Sequence, residues 1–190
     1  MKELSLNILD IAMNSVRAGA KHVVIDLTDR GNIRTLTVTD DGCGMDAELL
    51  LSVTDPFSTT RTTRPVGLGL PLLQLAAEQT GGTLTVESAK ADTGRRFAAD
   101  SPHGTRVIAT FDTAHIDCVP LGDLAETFVT LVQGSSNIDF ALSLSLVGME
   151  EPFALDTREM RKILGEDVPL DTPDVLVFIG EAVREALEQV

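Results

Sequence analysis

Along residues 4–18, Leu4, Ile8, Ile11, Ser15 and Ala18 fall on one side of a helical projection, while Asn7, Asp10, Asn14 and Arg17 fall on another. This period of about 3.6 residues predicts an amphipathic helix, ended by Ala18-Gly19-Ala20. The period then changes to two. Val23, Ile25 and Leu27 alternate with polar neighbours, Asp29-Arg30-Gly31-Asn32 turns the chain, and alternation resumes from Ile33 to Thr39, which predicts a hairpin. Asp40-Asp41-Gly42-Cys43-Gly44 is a loop by composition. A short helix over residues 46–53 follows, then a stretch rich in Thr, Pro and Arg from Thr54 to Val66. Gly69 to Gln79 reads as a helix closed by Gly81-Gly82, and Thr83–Ser88 and Thr105–Phe111 read as strands separated by a polar excursion.

Beyond Asp112 the pattern predicts a helix over Gly122–Gln133, a Gly-Ser-Ser-Asn turn and an apolar strand over Phe140–Val147. Asp156 and Glu159 have capping-box spacing ahead of a helix over Thr157–Leu164, and Thr172-Pro173 supplies an N-cap and N1 proline for a last helix, Asp174 to Gln189. A chain of 190 residues has room for one full core and an add-on. The expected organisation is a domain over 1–112 and a small α+β appendage over 113–190, the latter a partner-binding or regulatory region. No internal repeat is present.

Composition narrows the classes. Hydrophobic and charged shares of 43% and 23% are ordinary for a globular protein, and no run of roughly 18 apolar residues crosses a bilayer. Met1-Lys2-Glu3 runs straight into helical periodicity without a leader, so a soluble, cytoplasmic protein is expected. A net charge of −14 repels phosphate backbones and anionic lipid, which argues against nucleic acid or membrane as partner. Cys43 and Cys118 stand far apart, with no metal-ligand spacing, and read as reduced thiols.

Four short constellations carry candidate chemistry. Asp10 and Asn14 lie four residues apart and so share a helix face. An amide oxygen is a hard neutral ligand for Mg²⁺ and a carboxylate can accept a proton from water, although a solvated polar face has the same pattern. Asp40-Asp41-Gly42-Cys43-Gly44-Met45 ends a strand, where a carboxylate can accept an exocyclic amine and glycines let backbone approach a planar ring; a plain turn reads the same way. Val66-Gly67-Leu68-Gly69-Leu70 opens a helix whose first N–H groups suit phosphate. Arg61 and Arg64 precede it and can pair with phosphate oxygens or serve as surface charge. Gly104-Thr105 begins a strand with a hydroxyl able to join the base contacts.

In this order the four stretches resemble the N, G1, G2 and G3 boxes of the GHKL, or Bergerat-fold, superfamily of gyrase B subunits, heat-shock chaperones, mismatch-repair ATPases and sensor histidine kinases. Asn14-Ser15-Val16-Arg17-Ala18-Gly19-Ala20 is similar to the mismatch-repair N box. Pro56-Phe57-Ser58-Thr59-Thr60-Arg61 with Gly67-Leu68-Gly69-Leu70 is similar to the kinase lid. The resemblance covers Leu4 to Phe111. It implies a two-layer α/β sandwich of the α+β class, a mixed, mostly antiparallel sheet with helices on one face, that binds ATP and Mg²⁺. Carried over, Asn14 coordinates Mg²⁺, Asp40 binds the adenine amine and Gly42, Gly44 and Met45 frame the base. Arg61, Arg64, Gly67, Leu68 and Gly69 attend the phosphates, and Thr105 joins the water-linked contacts to adenine. Asp10 stands where hydrolytic members place a catalytic glutamate, one methylene longer. Pro65 stands where kinases begin the G2 box with glycine, which stiffens the lid there.

Three functions follow from the resemblance: an ATP-driven switch with slow hydrolysis, a small protein kinase acting on a partner, or a non-catalytic ATP-binding module. A histidine kinase needs a phosphoacceptor histidine ahead of the N box, and His22, His103 and His115 all lie behind it. Leu121-Gly122-Asp123-Leu124-Ala125-Glu126-Thr127 and Leu155-Asp156-Thr157-Arg158-Glu159 are also similar to stand-alone ATP-binding proteins encoded beside iron-iron hydrogenases. That likeness implies a protein partner in hydrogenase or redox metabolism.

Overall fold

The alternation over residues 22–40 becomes β1 (His22–Arg30) and β2 (Ile33–Asp40) in a computed structural model, which describes residues 3–53, 68–90, 102–165, 167–188 and 190. The two strands pair antiparallel with Val23 opposite Asp40 and Ile25 opposite Val38. Side chains alternate across a strand, so this register gathers Val23, Ile25, Leu27, Leu36 and Val38 on one buried face. The same rule puts the Asp40 carboxylate at the end of that apolar face. β4 (Gly104–Asp112) pairs with β2, and β3 (Leu84–Ala89) with β4, both antiparallel. Thr105 then lies opposite Asp40, and Ser88 opposite Thr105. One row, Val23–Asp40–Thr105–Ser88, crosses four strands.

Helices pack against this buried face. α1 (Leu4–Arg17) and α3 (Gly69–Gln79) lie over the strands, and α2 (Ala47–Ser52) starts from Asp46, whose side chain accepts the Leu49 N–H. The opposite face carries Thr35, Thr37 and Thr39 on β2 and Thr110 on β4, all half-buried. Leu4, Ile8, Ile11 and Ser15 are buried as the helical period predicts. Asn7 departs from it: grouped by period with the polar positions, it is fully buried, because α3 and a further helix both pack along α1.

That further helix is α4 (Leu124–Gly134), capped by Asp123 through the Glu126 N–H. It leads into β5 (Asp139–Ser145), which runs parallel to β1, and β6 (Phe153–Asp156) pairs antiparallel with β5. The sheet order is β3-β4-β2-β1-β5-β6. The segment after residue 112, expected as an appendage, therefore extends the same sheet, and its buried side chains belong to one core with those of residues 4–111. Phe128 on α4 and Phe140 on β5 meet edge to face, with centroids 6.4 Å apart. Such a pair adds about 0.5–1.5 kcal/mol beyond the area it buries.

α5 (Thr157–Leu164) and α6 (Pro173–Leu187) complete the chain, α6 packing on α4. The expected capping box forms differently. Asp156 accepts the Arg158 N–H and binds the Arg158 guanidinium, so no bond links it to Glu159. Thr172 bonds back to the Pro169 carbonyl and makes no side-chain cap. α1 also starts without a side-chain cap: the N–H groups of Leu4 and Ser5 donate to the carbonyls of Pro120 and Leu121, at 2.9 and 2.8 Å. No helix among the described residues is long and apolar enough to cross a membrane.

Candidate functional site

Asp40 reaches the end of an apolar row at only 7% exposure. A carboxylate there must be hydrogen-bonded, and it is. Ser15 Oγ donates to Oδ2 at 2.7 Å, the Gly42 N–H to Oδ1 at 2.8 Å and the Thr105 N–H to Oδ1 at 3.3 Å. Burial nonetheless raises its pKa above the ordinary carboxylate value, against the pull of those bonds. A desolvated acceptor held from three sides is suited to an incoming N–H donor.

The loop after Asp40 folds tightly round that carboxylate. Gly44 has φ 66°, and a Cβ on it would overlap the carbonyl oxygen of Ala89 on β3. Gly104 has φ 138°, and a Cβ there would overlap the carbonyl of Asp40. Both positions combine a left-handed backbone with a close approach, which only glycine tolerates. Met45 follows, its N–H donated to Ser88 Oγ at 2.8 Å and its side chain half-buried against the core. Gly44→Ala is expected to cost about 1–3 kcal/mol in backbone strain and to push the end of β3 away. At roughly 2–4 °C per kcal/mol for a chain of this size, calorimetry should find a melting point lower by several degrees.

The other end of the site lies on α1. Asp10 is exposed and Asn14 half-buried, one turn apart. α3 begins against them. The place of a Cβ on Gly69 is 3.1 Å from Asp10 Cβ and 3.8 Å from Asn14 Nδ2, so this helix start lies close against both side chains. Leu68, at the N-cap and exposed, makes no side-chain cap, leaving the first turn of α3 to present its N–H groups and dipole beside Asp10 and Asn14. Arg17 Nη1 donates to Asn14 Oδ1 at 3.1 Å.

The structure thus brings Asp40, Gly42, Gly44, Met45 and Thr105 together at one end, and Asp10, Asn14, Leu68 and Gly69 at the other. Arg61, Arg64 and Gly67, with the lid expected over 54–66, lie outside the described residues. Three residues have polar contacts that the sequence does not foretell. Ser15 was grouped with the apolar face of α1 and holds Asp40. Ser88 joins Met45, Gly104 and Thr105. His103 places Nδ1 2.6 Å from the carbonyl oxygen of Gly42. Only register and loop closure create these contacts, and no local motif announces them.

A family model described as histidine kinase-, DNA gyrase B-, and HSP90-like ATPase matches residues 1–115. The chain is 35% identical over 83 residues to the sensor histidine kinase ZraS of Escherichia coli (strain K12), which is 43% of this chain and 18% of that protein. It is 32% identical over 88 residues to the signal transduction histidine-protein kinase AtoS of the same organism, covering 46% and 14%. The chain therefore spans less than a fifth of the length of these relatives. Among solved structures it is similar to the Aquifex aeolicus MutL ATPase domain complexed with ADP, with TM-score 0.52 and 13% identity over 75% of this chain and 60% of that one. Sequence match over more than half of the chain and likeness of fold agree, and the chain belongs to the histidine kinase-, DNA gyrase B- and HSP90-like, or GHKL, ATPase family.

Proposed function

We propose that this protein binds Mg-ATP between the Asp40 end and the α1–α3 end of the site, hydrolyses it slowly, and acts as a nucleotide-dependent switch on a protein partner. The observation that carries the reading is the start of α3 against Asp10 and Asn14. A helix N-terminus attracts phosphate, and beside it stand a neutral oxygen ligand and an exposed carboxylate. The ADP bound to the MutL domain supports an adenine nucleotide.

The residues fit a magnesium ion. Asn14 Oδ1 is a hard oxygen with two lone pairs, one of them engaged by Arg17. Mg²⁺ commonly takes one or two protein oxygens and fills its shell with phosphate and water. When bound, it neutralises charge on the transferring phosphoryl group. Asp40 then holds the base amine, the start of α3 holds phosphate, and Asp10 accepts the proton of an attacking water.

A second reading, phosphorylation of a protein partner in trans, draws support from the sensor histidine kinases among the relatives. Phosphate release from the isolated protein supports the switch; label appearing on a copurified partner supports the kinase; neither leaves a non-catalytic module. The site of action proposed is the cytoplasm. A partner in hydrogenase or redox metabolism is part of the proposal only through the stretches at 121–127 and 155–159. These are helix starts, where Leu121 caps α1, Asp123 caps α4 and Asp156 caps α5. Copurification with mass spectrometry identifies the partner.

Asn14→Ala tests the metal contact. Affinity for ATP should fall about tenfold or more with Mg²⁺ present and little in EDTA, because the group removed is a metal ligand. Equal losses in both media would reduce Asn14 to a packing residue.

A further inference from the structure

Ser88, one residue before the end of β3, lies directly opposite Thr105, and its hydroxyl meets three groups of the base end at once. It accepts the Met45 N–H at 2.8 Å, lies 2.8 Å from the carbonyl oxygen of Gly104 and 3.0 Å from Thr105 Oγ1. A hydroxyl has one proton to donate and two lone pairs. The Gly104 carbonyl can only accept, so the Ser88 proton goes there. One Ser88 lone pair holds the Met45 N–H, and the other takes the Thr105 proton. The opposite arrangement, with Ser88 donating to Thr105, forfeits the shorter of the two contacts.

The consequence falls on Thr105. Its proton is committed to Ser88, so toward a ligand its oxygen is an acceptor. Asp40, its neighbour across β2, is an acceptor as well. Two acceptors side by side match an exocyclic amine and oppose a ring oxygen at the same place.

We propose that Ser88 is a specificity-determining residue: by fixing the Thr105 hydroxyl as an acceptor, it makes the site select a 6-aminopurine nucleotide over its 6-oxo counterpart. The inference rests on the Mg-ATP reading above and concerns how that site reads the base.

Titration calorimetry with Mg-ATP and with Mg-inosine triphosphate tests it. Wild-type protein should prefer ATP. Ser88→Ala frees the Thr105 hydroxyl to turn and donate, so ATP should weaken about tenfold, the worth of one ordinary hydrogen bond, while inosine triphosphate holds or tightens. Ser88→Thr keeps a hydroxyl and should restore the preference. Thr105→Val should lose the same discrimination, and adding Ser88→Ala to it should change nothing more, because the two act through one proton. Equal weakening of both nucleotides in Ser88→Ala overturns the inference, as does additivity in the double variant. If Ser88→Ala does not fold, Thr105→Val decides: full discrimination without that hydroxyl sinks the proposal. Wild-type protein that binds neither nucleotide overturns the Mg-ATP reading, a result separate from loss of selectivity in a protein that binds ATP.

Discussion

Replacing Asp40 with asparagine is expected to weaken Mg-ATP binding roughly 10- to 200-fold, the worth of one hydrogen bond to a charged acceptor. In the wild-type protein both carboxylate oxygens accept: Oδ2 from Ser15, Oδ1 from Gly42 and Thr105. An asparagine that keeps the two backbone bonds on its oxygen must aim its NH₂ at Ser15, whose hydroxyl can turn to accept it, and at the ligand amine, where donor meets donor. Folding should survive. Burial raises the Asp40 pKa, and a carboxyl raised above its unfolded value favours folding while protonated, a contribution lost as pH climbs through the folded value. At neutral pH its charge is therefore no net source of stability, and the neutral amide should melt no lower.

Affinity has the opposite sign. The ionised form is the stronger acceptor, so wild-type binding should weaken as pH falls through the raised Asp40 value, before ordinary carboxylates protonate. The asparagine variant should lack that inflection. Calorimetry across pH reads both, and unchanged affinity in a folded Asp40→Asn protein would remove this residue from the base contacts.

The second large effect concerns turnover. Asp10→Asn should keep ATP affinity, because the side chain is exposed and meets water, yet slow phosphate release about 10²- to 10⁴-fold, the range for a positioned proton acceptor. Asp10→Glu lengthens the side chain by one methylene toward the attacking water and should run faster than wild type. A kinase reading predicts instead that partner phosphorylation disappears in the Asn form and that the Glu form gains only futile hydrolysis. One background rate for all three proteins, with and without partner, would leave Asp10 no catalytic role and retain the non-catalytic module.

The positions of both residues, on a helix face and at a strand end, are legible in the sequence because their signals are local. Asp10 and Asn14 share a face through helical period alone, and the β1–β2 hairpin follows from alternation interrupted by one turn. Period says which way a side chain points but not which strand lies beside it. That is why β5 reads from sequence as part of an appendage: an apolar run over Phe140–Val147 fits a sheet of its own as well as a place next to β1. β6 escaped notice because Phe153-Ala154-Leu155-Asp156 is too short for a pattern. Asn7 was misgrouped because helices distant in sequence cover its flank. Ser15 and Ser88 bear on Asp40 and Thr105 only once register sets them there, and a serine in a strand or on a helix face carries no mark of that.

The parallel pairing of β1 with β5 has a consequence for how the protein comes into being. A nascent chain delivers β1 early, but its second edge stays unpaired until residues 139–145 leave the ribosome. The Pro120 and Leu121 carbonyls that hold the start of α1 likewise arrive only after the helix they hold. At about 5–20 residues per second, the interval between the end of β4 and the end of β5 lasts on the order of seconds. Throughout it, a strand carrying Val23, Ile25 and Leu27 offers an open edge to any other chain within reach. The residues that complete the sheet are thus also those that end its exposure during synthesis, and a ribosome stalled before residue 139 should leave a product that aggregates.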